Sequence, residues 1–343
     1  MKVLFLALYP ASSASSRYRV HQFLPGLRAA GVDCTLRCAM PDKGRGPWRP
    51  AMVAQVIEAC RRGRQMRDLE QFDRVFVQKS LTAAPFPGML GLLEADWQRV
   101  VFDLDDAVHR QPPDTLSRFI KPFAPEGEPQ AATLMRHARL TLAGNHWLEA
   151  ETGRLGGRPR YFPTVVDTER FTPAPPPDTR YRLGWMGSPS TAPYLYPLAP
   201  VLQRVETPAL LVGAGAVPLA FPAERVDWAL DSEVAQLQRM SVGLMPQPGN
   251  EWGRGKCGLK ALQYMACGKP VIASRFGVAL ELIEDGETGL LADSPDEWMA
   301  AIERLRDPAE RARMGEAARK KVVRDFSLAV WTPRLLEALE TLS

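Results

Sequence analysis

The stretch from Val242 to Ser274, VGLMPQPGNEWGRGKCGLKALQYMACGKPVIAS, constrains the fold of this chain more than any other. It opens with the short apolar run Val242–Met245, which reads as a buried strand. A Pro- and Gly-rich loop follows, carrying Gly249, Gly253 and Gly255. A helix is expected from about Cys257 to Cys267, made largely apolar by Leu259, Leu262, Tyr264, Met265 and Ala266. Gly268 stands where a left-handed residue ends such a helix. Pro270 then starts a second buried run, Val271–Ala273. The unit is strand, glycine loop, helix, strand.

That arrangement makes an anion site. The first N–H groups of a helix lack intrahelical acceptors, and the helix dipole adds positive potential there. Glycines let a phosphate approach the backbone closely. Lys256 sits at the helix start, where the dipole disfavours a cation. Two readings stand for it: a solvated loop lysine, or a cation placed to meet a diphosphate.

The second half of the stretch, Tyr264-Met265-Ala266-Cys267-Gly268-Lys269-Pro270-Val271, resembles the nucleotide-binding element of retaining family-4 glycosyltransferases (glycosyl transferases group 1). These have the GT-B fold. Their pattern sets two Glu residues eight apart around a glycine-rich helix start. Here the first position is Gly255 and the second Gln263, whose amide can still bond ribose hydroxyls without a charge. The start Lys256-Cys257-Gly258-Leu259-Lys260 looks like a sub-group in which Lys-Cys-x-x-Lys replaces the first Glu. The resemblance implies that Lys256 and the backbone N–H groups of Cys257, Gly258 and Leu259 stabilise a leaving diphosphate.

The 343 residues suffice for two domains of ordinary size, and 45% hydrophobic residues supply their cores. A net charge of +4 suits anionic ligands but marks no nucleic-acid binder. Cys34, Cys38, Cys60, Cys257 and Cys267 show no metal spacing, and their odd number argues for reduced thiols in the cytoplasm. The start MKVLFLALYP lacks a long apolar core and reads as a first strand, not a signal peptide. No apolar run nears the length of a membrane span.

Val3–Leu8 has the continuous apolar character of a parallel strand covered on both faces. The small-residue loop 10–16, a helix from Arg17 carrying Phe23, Leu24 and Leu27, and a strand at Val32–Leu36 complete a βαβ unit of a doubly wound sheet. Arg17 and Arg19 lie two apart and diverge on a helix, so at most one faces a ligand. The resemblance puts Arg17 opposite the donor phosphates; a solvated basic turn is the other reading. Residues 41–50 read as loop. Residues 51–70 read as a helix with an arginine-dense face of Arg61, Arg62, Arg64 and Arg67. That face is either solvated or a contact for an anionic membrane surface. Arg74–Gln78 and Arg139–Ala143 read as strands, and Asn145 as the start of a helix over Trp147–Leu155.

Val100–Leu104 runs as a strand into Asp103, Asp105 and Asp106. Three acids at a strand end repel one another, so stability alone does not explain them. Asp-x-Asp binds divalent cations in another glycosyltransferase fold, whereas GT-B enzymes generally use no metal. In the family this strand leads to a donor-facing His, at whose place Asp105 stands. Asp103 and Asp105 share a face of an extended strand, and Asp106 opposes them, free to cap a helix.

Residues 160–171, RYFPTVVDTERF, resemble the family's signature at the exit of the first domain. The run Thr172–Asp178, with Pro173, Pro175, Pro176 and Pro177, reads as a stiff linker. Strands are expected at Arg182–Met186, Leu210–Val212, Val226–Trp228 and Val242–Met245, and helices from Pro295, Pro308 and Ala329. In the family the loop Gly187-Ser188-Pro189-Ser190-Thr191 leads into two cations that grip the diphosphate; here it offers hydroxyls and N–H groups instead. Ala229 and Leu230 lie where the family holds the base, and Gly277–Glu281 resembles its Gly-x-x-x-Glu turn.

The expected architecture is α/β, GT-B: two doubly wound Rossmann-like domains facing across a cleft. Residues 1–172 form the acceptor-side domain, 173–327 the donor domain, and the helix in 328–343 packs back on the first. The expected function is transfer of a sugar from a UDP- or GDP-linked donor to a glycan, lipid-linked or small-molecule acceptor, with retention and without metal or cofactor. Asp105 and Asp103 are the candidate catalytic groups. Arg17, Gly187, Ser188, Ser190, Thr191, Ala229, Leu230, Lys256, Cys257, Gly258, Leu259, Gln263 and Glu281 are the candidate donor contacts. The expected place is the cytoplasm, with a possible peripheral contact at the inner membrane face. Two rivals stay open: a non-catalytic nucleotide-sugar-binding protein, and a sugar-nucleotide epimerase of the same architecture.

Overall fold

The computed structural model describes residues 1–41, 51–82, 88–110, 130–174 and 180–341, with only the backbone for 51–55. The chain divides into two compact units. The first is Met1–Thr164 with Gly255–Cys257 and Trp331–Ser343; the second is Val165–Arg254 with Gly258–Val330.

The first unit carries β1 (Lys2–Ala7), β2 (Asp33–Cys38), β3 (Arg74–Gln78), β4 (Val100–Leu104), β5 (Leu140–Ala143) and β6 (Pro159–Tyr161). They form one parallel sheet in the order β2-β1-β3-β4-β5-β6. Val3 to Ala7 are wholly buried, as a central strand covered on both faces requires. The second unit carries β7 (Leu183–Met186), β8 (Ala209–Val212), β9 (Ala223–Val226), β10 (Val242–Met245), β11 (Val271–Ser274) and β12 (Gly289–Ala292). Its parallel order is β12-β11-β10-β7-β8-β9. The strand order reverses between β1 and β3 in one unit and between β7 and β10 in the other. Open parallel sheets hold ligands beyond the C-terminal strand ends at such points.

The last helix, Leu328–Glu340, belongs to the first unit from Trp331 on. Trp331 meets Phe162 edge-on, with centroids 5.3 Å apart, and Arg74 Nε donates to Leu339 O at 2.9 Å. The division at Thr164/Val165 precedes the expected 172/173 boundary, and Pro175–Asp178 lie outside the described residues, as does most of the loop 41–50.

Several expectations are corrected. The key helix is Leu259–Ala266, not Cys257–Cys267, because Gly258 takes φ +68° at its N-cap. Gly268 does take the left-handed φ of +68°. The strand expected at Val226–Trp228 is Ala223–Val226, an edge strand with no buried residue, whose central Glu224 and Arg225 are exposed and break any apolar run. β12 was not expected. In the helix Ala51–Gln65, Arg62 leaves the arginine face and is fully buried. It donates to Leu81 O at 2.7 Å, Arg37 O at 3.1 Å and Ala7 O at 2.6 Å. Burial pulls its pKa down to about 10. Its role is to satisfy carbonyls at strand ends.

Candidate functional site

At the reversal point of the first sheet, the loop after β1 meets the ends of β3 and β4. The helix Ala14–Arg19 brings Ser15, Ser16, Arg17 and Arg19 there. Gln78 ends β3 and ties the loop down: its Oε1 accepts from Ser16 Oγ at 2.8 Å and Leu8 N at 3.3 Å. Its Nε2 donates to Ser15 Oγ at 2.9 Å, and Ser15 Oγ donates to Asp105 Oδ2 at 2.7 Å. Lys79 follows with φ +67°, the one left-handed non-glycine residue among those described. Such a conformation strains a residue with a Cβ and is often found at functional sites. Its Nζ lies 3.3 Å from Asp106 and 3.9 Å from Asp105.

The three acids have separate partners. Asp103 is fully buried and bound by Arg19, whose Nε lies 3.0 and 3.1 Å from its oxygens. Burial raises the Asp103 pKa to about 6, and Arg19 keeps it ionised at neutral pH. Asp103 therefore does not share a ligand-facing side with Asp105, as the strand alternation suggested; it anchors Arg19, which also bonds Phe162 O at 2.9 Å. For Asp105, burial acts to raise the pKa. Lys79, Arg19, Ser15 and Lys256 outweigh it and hold the carboxyl below the usual range. Asp106 is no helix cap: it accepts from Lys256 Nζ at 3.0 Å on both oxygens as well as from Lys79. Among the described residues no group of three or more His, Cys, Asp or Glu side chains is arranged to hold a metal ion.

Lys256 and Cys257 thus serve the first unit. Asn145, which caps the helix His146–Arg154, donates to Lys256 O at 2.9 Å. The Cys257 side chain is buried in the first unit's core, where burial drives its thiol pKa far up. Arg17 is nearly buried, bonding Ala11 O at 3.3 Å with its guanidinium beside Tyr18.

At the reversal point of the second sheet, Gly187–Thr191 follows β7. Ser188 and Ser190 are exposed, with their hydroxyls 2.9 Å apart, and Thr191 Oγ1 accepts from Ser188 N at 3.3 Å. Lys260, in the first turn of Leu259–Ala266, donates to Thr191 Oγ1 at 3.3 Å. Its ammonium also lies 5.0 Å from the centroid of the buried Trp185 ring. Tyr264 Oη accepts from Met186 N at 2.8 Å and fixes the end of β7.

Beside this lies a second cluster around the buried Glu233. It accepts from Gln263 Nε2 and Trp228 Nε1, both at 3.1 Å, and from Arg170 Nη2 at 2.8 Å. Gln263 is buried and its amide engaged by a carboxylate. Ala229 and Leu230 sit exposed past the end of β9, with Leu230 O accepting from Arg170 at 2.9 Å. Glu281 lies in the short helix Ala279–Leu282, after Gly277 with φ +56°. Sequence reading missed Lys79, Ser15, Gln78 and Glu233, and used Lys260 only as part of a motif.

Residues 203–307 match the family model described as Glycosyl transferases group 1. That stretch is similar to the group 1 glycosyl transferases. A GDP-mannose-dependent monoacylated alpha-(1-6)-phosphatidylinositol monomannoside mannosyltransferase of Corynebacterium glutamicum is 27% identical over 238 residues. The match covers 59% of this chain and 62% of that relative, less than two thirds of its length. Sucrose-phosphate synthase from Thermosynechococcus elongatus superposes with a TM-score of 0.74 over the whole of both chains, at 17% identity. Anabaena HepE, solved in complex with UDP and glucose, gives 0.69 at 15% identity over 99% of this chain and all of that one. The fold is therefore that of the GT-B glycosyltransferases, and the resemblance read from residues 264–271 is borne out at the level of the group 1 family.

Proposed function

We propose that the protein is a glycosyltransferase that moves a sugar from a nucleoside-diphosphate donor to an acceptor hydroxyl. The observation carrying this is the polar loop Gly187–Thr191 beside Lys260, at the reversal point of a sheet whose strands β10 to β12 lie in the group 1 match. A hydroxyl-rich loop with a lysine at that point suits phosphate oxygens. The relatives' names favour UDP- or GDP-linked sugars as donors. The acceptor belongs to the glycan, lipid-linked or small-molecule classes. The first unit supplies Asp105, ionised and held by Ser15 and Lys79, to take a hydrogen bond or proton from a sugar or acceptor hydroxyl. In this reading the reaction retains configuration and needs no metal.

Thermal-shift titration with UDP, GDP, UDP-glucose and GDP-mannose tests the reading. A ligand at a hundred times its Kd stabilises the folded state by about 2.7 kcal/mol. A melting temperature unmoved by all four at millimolar concentration sinks it.

A further inference from the structure

We propose that Gln78 is a positioning residue for the transfer reaction: it commits the Ser15 hydroxyl to Asp105 Oδ2 and leaves the carboxylate's remaining lone pairs for the acceptor's hydroxyl. The inference rests on the transfer reading above and adds to it the groups that aim Asp105.

The directions of the hydrogens follow from two backbone N–H groups, which donate and never accept. Leu8 N lies 3.3 Å from one end of the Gln78 amide, so that end is the oxygen. Tyr9 N donates to Ser16 Oγ at 3.1 Å, and the Ser16 hydrogen goes to the same Gln78 oxygen, 2.8 Å away. The other end of the amide is then the NH2 group, which donates to Ser15 Oγ at 2.9 Å. Ser15 has a single hydroxyl hydrogen and gives it to Asp105 Oδ2, at 2.7 Å. Gln78 and Ser16 are fully buried, so a reversed amide would set donor against donor without water to relieve it.

The network ends on one oxygen of Asp105. The other, Oδ1, forms no hydrogen bond among the described residues, and the nearest ammonium, that of Lys79, stands 3.9 Å away. A buried acceptor left without a donor is costly, and a ligand hydroxyl supplies one without displacing an existing bond. The backbone bears the same mark. Gln78 is the last residue of β3, and Lys79 N prolongs the ladder by donating to Asp103 O at 2.8 Å. Successive side chains of a strand point to opposite faces. At Lys79 the left-handed φ of +67° breaks that alternation. Both residues then address the same carboxylate, Gln78 through Ser15 and Lys79 by its charge. Strain kept at such a point marks a place where aim matters more than local stability.

The test measures release of UDP from UDP-glucose and of GDP from GDP-mannose by the full chain, with water as the acceptor. At neutral pH a carboxylate in place of the Gln78 amide still accepts from Leu8 and Ser16 but gives Ser15 no donor, so the Ser15 hydrogen turns away from Asp105. Gln78→Glu should therefore lower kcat about tenfold, with the donor KM within about twofold. Ser15→Ala should lower kcat by a similar factor, and Ser15→Thr, which keeps the hydroxyl, should recover most of it. In the Ser15→Ala background, Gln78→Glu should have no further effect. An unchanged kcat in Gln78→Glu overturns the assignment. So does an equal loss with and without the Ser15 hydroxyl, which marks a through-space effect of the added charge. Should Gln78→Glu fail to fold, the Ser15→Ala loss and the Ser15→Thr recovery must both appear, or the proposal fails. A second arm needs no substrate. Urea unfolding of Gln78→Met, Asp105→Ala and the double variant should show the two sites coupled by about twofold or more in the unfolding constant, and uncoupled in the Ser15→Ala background. Coupling that survives without Ser15 overturns the link. A wild type that releases neither diphosphate defeats the transfer reading, whereas the link from Gln78 to Asp105 stands or falls on the unfolding cycle, so the two failures are told apart.

Discussion

The C-terminal edges of the two parallel sheets are built on opposite plans. In the first unit, charge meets charge: Arg19 with Asp103, Lys79 with Asp105 and Asp106, Lys256 with Asp106. In the second, an exposed loop of hydroxyls meets one lysine seated on an indole. A buried ion network is rigid and resists rearrangement, which suits a carboxylate that must stay ionised and aimed. A hydroxyl loop exchanges partners at little cost, which suits a ligand that comes and goes. One edge is preformed and the other receptive.

The largest expected effect tests the rigid edge. Arg19→Met removes one partner of an ion pair in which both side chains are almost completely buried. It should cost about 3–5 kcal/mol, read from urea unfolding of the first unit. The pH dependence fixes the cause. The folded pKa of Asp103 already lies above its unfolded value, at about 6, so protons favour the folded state between the two values. Without Arg19 that pKa rises further, and the variant should regain stability as pH falls from 7 to 5. A loss under about 1 kcal/mol, flat with pH, would mean that the pair is not what holds the edge.

Next in size is Asp105→Asn. Asn accepts the Ser15 bond but carries no charge and serves as no base. Turnover should fall about 100-fold or more, with diphosphate affinity nearly intact. Because the Asp105 pKa is held low, wild-type turnover should show no acid limb from this group at or above the usual carboxylate range. Near-normal turnover with a lowered melting temperature would leave Asp105 a structural acid and remove the functional half of the contrast.

The contrast was half legible in the sequence. The apolar runs at Val3–Ala7, Arg74–Gln78 and Val242–Met245 announced buried parallel strands, since burial on both faces leaves continuous apolar residues. Asn145, Gly268, Pro295 and Pro308 announced helix ends, because capping depends on the residue itself. The acids at the end of β4 were visible, but their partners were not. Arg19 lies 84 residues from Asp103 and Lys256 lies 150 from Asp106, and no local pattern encodes such pairings. Arg62 looked like surface because its burial depends on carbonyls from distant strand ends. The edge strand β9 was misplaced because exposure erases its apolar signal.

On the receptive edge, Tyr264→Phe tests what holds the loop. Tyr264 is fully buried and its hydroxyl takes the N–H of Met186, just before Gly187. Losing the acceptor leaves that N–H unsatisfied, at about 1–3 kcal/mol. Because the loop's own hydroxyls remain, diphosphate affinity should fall by less than the stability does. A change confined to affinity would place Tyr264 in the binding site instead of beneath it.

The smallest expected effect separates strain from charge at Lys79. Its φ of +67° costs any residue with a Cβ about 1 kcal/mol relative to glycine. Its ammonium meanwhile serves Asp105 and Asp106. Lys79→Gly and Lys79→Ala lose the same charge, but only Ala keeps the strain. Glycine has greater freedom in the unfolded chain, which offsets part of its gain. Lys79→Gly should therefore be more stable than Lys79→Ala by up to about 1 kcal/mol, while both show the same rise in the Asp105 pKa, measured by carbon NMR of the carboxyl group. Equal stability would show that the turn relaxes in solution. An unshifted Asp105 pKa would show that Arg19 and Lys256 suffice to hold it, and the first edge would then be rigid without Lys79.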